Sequence, residues 1–173
     1  MKSNENIDAV WARLVSRATR VALMRQDMSY AELARELTDL GVPESARSVE
    51  GKIQRGTFRF SFFLQTVYAA KTDFPERWKD ALTSSRTWEE KASAVLEAEL
   101  ALQPWLTSVA LATRLDEIGV AVAPGVVESQ IREGVFSAAL FFQFATVCRL
   151  ESVLQFVDAS SLGHAAMAGG GRT

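Results

Sequence analysis

Leu33-Ala-Arg-Glu-Leu-Thr-Asp-Leu-Gly-Val42 and Leu111-Ala-Thr-Arg-Leu-Asp-Glu-Ile-Gly-Val120 lie 78 residues apart and agree without a gap at five of ten positions. At the same offset, Val49-Glu-Gly-Lys-Ile-Gln-Arg-Gly-Thr-Phe58 falls on Val127-Glu-Ser-Gln-Ile-Arg-Glu-Gly-Val-Phe136. Phe63 and Gln65 likewise fall on Phe141 and Gln143. Apolar positions, glycines and the phenylalanine coincide, so the 173-residue chain is read as two diverged copies of one unit.

Within each copy apolar residues recur at three- and four-residue spacing instead of alternating, which predicts helices and no strands. A first helix over about 6–25 buries Val10, Leu14, Ala18, Val21 and Ala22. Ser29 followed by Glu32 has the spacing of a capping box, so a second helix starts at Tyr30 and turns Leu33, Leu37 and Leu40 inward. Gly41 ends it in the left-handed conformation and Pro43 discourages continuation. A third helix starts around 44–48, carries Val49 and Ile53 inward and stops at Gly56, and an aromatic fourth spans about 61–70. The expected fold is all-α, with two tandem units of four to five helices at 6–72 and 87–158. The 73–86 linker, with Pro75, Trp78 and Leu82, is expected to be helical. The Ala-, Ser- and Gly-rich stretch 159–173 is expected to be a disordered tail.

Hydrophobic residues make up 48% and charged residues 23%, the balance of a packed globular protein. A net charge of −2 excludes a global basic field, so any nucleic-acid contact is local. The N-terminus lacks a charged segment followed by an apolar one, and no apolar run reaches the roughly 18 residues of a membrane span. With a single cysteine, Cys148, these features predict a cytoplasmic protein without disulfides or contact with a membrane. The only histidine, His164, falls in the stretch expected to be disordered, so neither a metal site nor a Cys-His or Ser-His pair is expected. No catalytic residue and no cofactor are assigned. Glu89-Glu90 and Asp116-Glu117 read as solvated helix faces, and no glycine loop precedes a helix to cradle a phosphate.

The order helix, turn, glycine-ended helix and apolar helix resembles the lambda-repressor-like helix-turn-helix family over about residues 10–70. The residues that carry the likeness are Ser29-Tyr-Ala-Glu-Leu-Ala, Gly41-Val42, Val49, Ile53, Arg55-Gly56 and the apolar stretch 62–70. Lys52-Ile-Gln-Arg-Gly-Thr-Phe58 also resembles the signature of an uncharacterised family of bacterial domains. The helix-turn-helix resemblance implies double-stranded DNA as partner, with the third helix in the major groove. Arg47, Ser48, Lys52, Arg55 and Arg59 lie outside the Val49/Ile53 face and are the candidate DNA-binding residues. The turn is longer than that family's, running through Gly-Val-Pro-Glu-Ser-Ala, and Glu44 and Glu50 dilute the basic field.

Copy two departs from this chemistry, since glutamine stands at the position of Lys52 and glutamate at that of Arg55. Residues 1–83 carry 13 Lys and Arg against 11 Asp and Glu, and residues 84–173 carry 6 against 10. Copy two is therefore expected to pack or to dimerise, through Phe136, Phe141, Phe142 and Phe144 as candidate interface residues. The expected function is a sequence-specific transcriptional regulator, as a homodimer. The alternative is a helical module that binds a protein partner such as a transcription factor, a polymerase subunit or a toxin.

Overall fold

The computed structural model describes residues 4–170, and every described residue outside turns and loops lies in a helix. Copy one comprises α1 (Asn4–Arg25), α2 (Tyr30–Asp39), α3 (Ala46–Arg55) and α4 (Phe60–Ala69). After a 3-10 turn at Glu76–Trp78 and a short α5 (Lys79–Thr83), copy two repeats the scheme as α6 (Trp88–Leu100), α7 (Ser108–Glu117), α8 (Pro124–Glu133) and α9 (Ala138–Val147). A second 3-10 turn, Glu151–Gln155, leads to α10 (Ala159–Gly170).

Local chemistry sets the helix ends. The capping box at Ser29 is present in both directions: Glu32 N donates to Ser29 Oγ at 3.1 Å and Ser29 N to Glu32 Oε2 at 2.8 Å. Ser45, Thr87, Thr107 and Ser137 cap their helices in one direction only, each side-chain oxygen accepting from the backbone N–H three residues on. Gly56 and Gly134, the equivalent terminators, have φ of 67° and 68°. A Cβ at either would also run into a backbone carbonyl, that of Ala12 or of Glu89, as the helix end crosses the first helix of its copy. Lys71 and Arg149, again 78 residues apart, share a left-handed backbone at 55° and 54°.

Ala159–Gly170 corrects the expectation of a disordered tail over its described part; residues 171–173 lie outside the described residues. Its alanines, the best helix formers, outweigh the glycines, and Asp158 caps it by accepting from Ser161 N at 2.9 Å. Leu162 and Ala165 are buried as the helix packs on α1 and α9. At Gly169 the α10 backbone approaches the end of α7 so closely that a Cβ would meet the Ile118 carbonyl. Composition alone missed this because small residues permit close helix packing as readily as disorder.

The copies form a two-fold pair within one chain. Helix α4 packs on α6, the first helix of copy two, while α9 packs on α1, and α4 and α9 meet each other. Phe60 N donates to Phe136 O and Ala138 N to Phe58 O, both at 3.0 Å, which makes a minimal antiparallel bridge centred on the equivalent pair Arg59 and Ser137. Trp78 stacks on its own equivalent, Phe156, with centroids 5.4 Å apart. The edge-on pair Phe63–Phe156 recurs as Phe141–Trp78. Each copy's trailing segment also crosses over, the 76–83 segment onto α6 and α10 onto α1. One continuous core results, running from Ile7 to Ala165.

Candidate nucleic-acid interface

Val49 and Ile53 are fully buried against α1 and α2, which turns the opposite side of α3 outward. At 100° per residue, Gly51 lies at the centre of the crest with Arg47 and Arg55 on either side of it. Glu50 and Gln54 lie on one flank, and Ser48 and Lys52 on the other. Arg47, Arg55 and Arg59 are exposed, and none is ion-paired with another described residue. Lys52, Arg55 and Arg59 come together around a groove of about 400 Å³ between α3 and the start of α4, which also contains Phe62 and Gln65.

Two of the five expected DNA-binding residues are held by the protein itself. Glu44, in the loop before α3, accepts from Ser48 Oγ at 2.6 Å and forms a close hydrogen-bonded ion pair with Lys52 Nζ. Lys52 Nζ also lies 5.1 Å from the centre of the Phe62 ring. Burial disfavours the charged Glu44 carboxylate, but the hydrogen bonds from Lys52 and Ser48 outweigh it and hold the carboxyl below the usual range. This clasp spans eight residues across a loop and reduces the unpaired outward cations to Arg47, Arg55 and Arg59. At the crest, a Cβ on Gly51 would sit 3.0 Å from the Arg55 guanidinium, which folds over the bare backbone.

The equivalent face of α8 is different. Gly125, Glu128 and Glu133 stand where copy one has Arg47, Glu50 and Arg55, and Ser129 Oγ donates to Glu133 Oε1 at 3.3 Å. Arg132 is the one outward cation on α8. The expected interface aromatics Phe136, Phe141, Phe142 and Phe144 are all 0% exposed, so a separate partner cannot reach them. The surface they cover belongs to this same chain: Phe141 stacks on Phe60 at 4.0 Å and Phe142 packs edge-on to Phe63 at 5.6 Å.

A second basic face had not been anticipated. Arg13, Arg17 and Arg20 line a groove between α1 and α10, with His164 on the far wall and Gln54 of α3 at its border. Their spacing of four and three residues puts them on one ridge of α1 and was readable in the sequence. Their opposing wall depends on α10 being folded. Among the described residues no group of three His, Cys, Asp or Glu is placed to hold a metal ion, and no helix is long and apolar enough to cross a membrane. Cys148 is buried, and burial pushes its thiol up despite the nearby Arg114.

A family described as a domain of unknown function (DUF6471) matches the chain twice, at residues 11–74 and 88–153. No curated protein and no solved structure matches. The two matched stretches take in the four-helix units, except for residues 4–10 of α1, and include the pairing bridge at Arg59 and Ser137.

Proposed function

The chain belongs to the DUF6471 family of domains of unknown function, twice over, and from that premise we propose that it is a sequence-specific DNA-binding transcriptional regulator. Copy one presents α3 to the major groove, as in the lambda-repressor-like domains it resembles. One observation carries this reading: the crest of α3 is exposed and bears the unpaired Arg47 and Arg55 on either side of Gly51. Arginine's planar fork suits guanine edges and phosphates, and a glycine lets the helix backbone approach a base pair closely. Arg59 at the start of α4 extends the cationic surface towards the pseudo-two-fold axis. A regulator of this kind works in the cytoplasm.

The internal pairing changes what the operator should look like. Homodimeric readers meet two equivalent half-sites, whereas here the outward face of α8 carries Glu128 on its flank and Glu133 on its crest and would repel phosphates. We expect one chain to read one non-palindromic site. The test is selection from random duplexes at two salt concentrations, with the Arg47→Ala/Arg55→Ala double variant alongside. A discrete asymmetric motif, lost in the variant and bound by one chain per duplex, is the expected result. Binding that is indifferent to sequence and to both arginines refutes the reading.

A protein-binding role has its own observation. Leu102, Trp105 and Val109 at the α6–α7 corner are 56%, 66% and 62% exposed, and the equivalents of the last two in copy one are Asp27 and Ala31. Exposed tryptophan in an apolar cluster marks many protein interfaces. Loss of a co-purifying partner on Trp105→Ala, with DNA binding absent, would favour this reading.

A further inference from the structure

We propose that the α1–α10 groove is a phosphate-binding track that holds the DNA strand flanking the bases met by α3; the inference rests on the DNA-binding reading above. The groove encloses about 680 Å³. From Ala9 to Arg25, α1 carries four arginines and no acid, and three of them, Arg13, Arg17 and Arg20, line the groove. His164 faces them from α10. Arg13 and Arg20 have no ion-pair partner among the described residues. Arg17 is held in place by a hydrogen bond to Ser161 Oγ and a loose 3.9 Å pairing with Asp158, while 54% of its side chain remains exposed.

Two features favour a nucleic-acid strand over other anions. The first is continuity: Gln54, on the flank of α3, borders the same groove, so a strand leaving α3 would run along α1. The second is length. Arg13 to Arg20 spans about 10 Å of helix axis, and a duplex strand carries a phosphate about every 3.4 Å along its own axis, so the row can meet more than one phosphate. Guanidinium forks on successive phosphates fix register without reading sequence.

The test measures binding of the selected duplex by fluorescence anisotropy between about 50 and 200 mM salt, with circular dichroism as the folding control. Arg13→Ala/Arg20→Ala should make the slope of log K against log salt shallower by about 1.8 and weaken binding about fiftyfold near 0.1 M salt, with the motif unchanged. Arg20→Gln alone should lose about 0.9 of slope and serves if the double variant is unstable. Lys79→Ala, an exposed cation outside the groove, should change neither quantity. If the groove variants stay within twofold of the parent while Arg47→Ala/Arg55→Ala loses the motif, the track is refuted and the DNA reading stands. If the parent binds no duplex, both fall. If poly-glutamate shifts the NMR resonances of Arg13, Arg20 and His164 and the duplex does not, the groove serves an acidic protein and the proposal is overturned.

Discussion

Replacing Gly51 with alanine should make the protein more stable and a poorer DNA binder. Gly51 lies in the middle of α3, has ordinary helical backbone angles and is half-exposed on the outward crest. A mid-helix glycine costs about 1 kcal/mol relative to alanine through backbone entropy. The new methyl would meet one neighbour at 3.0 Å, the Arg55 guanidinium, which is the far end of a flexible side chain and can swing away at little cost. A gain approaching 1 kcal/mol corresponds to a rise of about 2–4 °C in Tm for a domain of this size. The same methyl displaces Arg55 and keeps the backbone off the base pairs, so affinity for the selected duplex should fall about tenfold, as for one lost bidentate contact. Thermal unfolding by circular dichroism and anisotropy on the same preparations supply the two numbers. A variant that binds the duplex as tightly as the parent would refute the close-approach argument, and a lower Tm would refute the helix argument.

Gly134→Ala, chemically the same change, should have the opposite sign: a left-handed backbone and a collision with the Glu89 carbonyl cost about 3 kcal/mol or more, read by urea denaturation. Because copy two shares its core with copy one, that loss should appear as a single earlier transition by every probe, and two separate transitions would contradict the shared core. Glu99 is 0% exposed and accepts from Trp78 Nε1 and Ser152 Oγ, each at 2.6 Å; Glu99→Ala should cost about 3 kcal/mol by leaving both donors unpaired. Arg77→Ala should cost less than Glu99→Ala, about 1–2 kcal/mol, because 42% of the Arg77 side chain is in solvent but its loss leaves the buried Glu99 carboxylate without its counter-charge. Glu44→Gln should free Lys52 and steepen the salt slope of DNA binding by up to about one unit. The Glu44 carboxyl is held low, so the clasp's stabilisation is complete above the ordinary glutamate value of 4.5 and fades as pH falls through the lower folded value. In the Glu44→Gln variant that acid-side loss, followed by denaturation at several pH values, should shrink.

What could be read before folding was what is local. The Ser29–Glu32 capping box and the terminators Gly41 and Gly56 all act within a few residues, and the structure uses each as the sequence spacing implied. Three features depend on contacts that reach beyond a single helix and were missed for that reason. Helix α10 is stabilised by α1 and α9, more than 10 residues away in sequence, and its own composition is ambiguous between helix and coil. Lys52 loses its freedom to Glu44 across a loop whose path no helical periodicity predicts. The aromatics of α9 look equally ready for another chain, for their own copy or for the other copy, because burial pattern alone does not name the partner. The signature residues Gly56 and Phe58 gain a physical meaning only from tertiary contacts: Gly56 lets α3 end against α1 within copy one, and Phe58 offers the carbonyl that receives Ala138 N across the pairing.

The swapped pairing also explains how copy two could become acidic. In a homodimer every substitution on a DNA-facing helix appears twice, so loss of a phosphate contact in one half-site is loss in both. Here α4 on α6 and α9 on α1 hold the two halves together by their buried faces, and the α3 and α8 crests take no part in that contact. The crests can therefore differ in charge without weakening the core, as Arg55 opposite Glu133 illustrates. The consequence is directional: an asymmetric crest pair fixes one orientation on an asymmetric operator. Replacing Glu128 and Glu133 with arginine should then add affinity on duplexes carrying a second, inverted copy of the motif and little on the native one. Equal gains on both duplexes would mean that the added charge acts only through the general phosphate field.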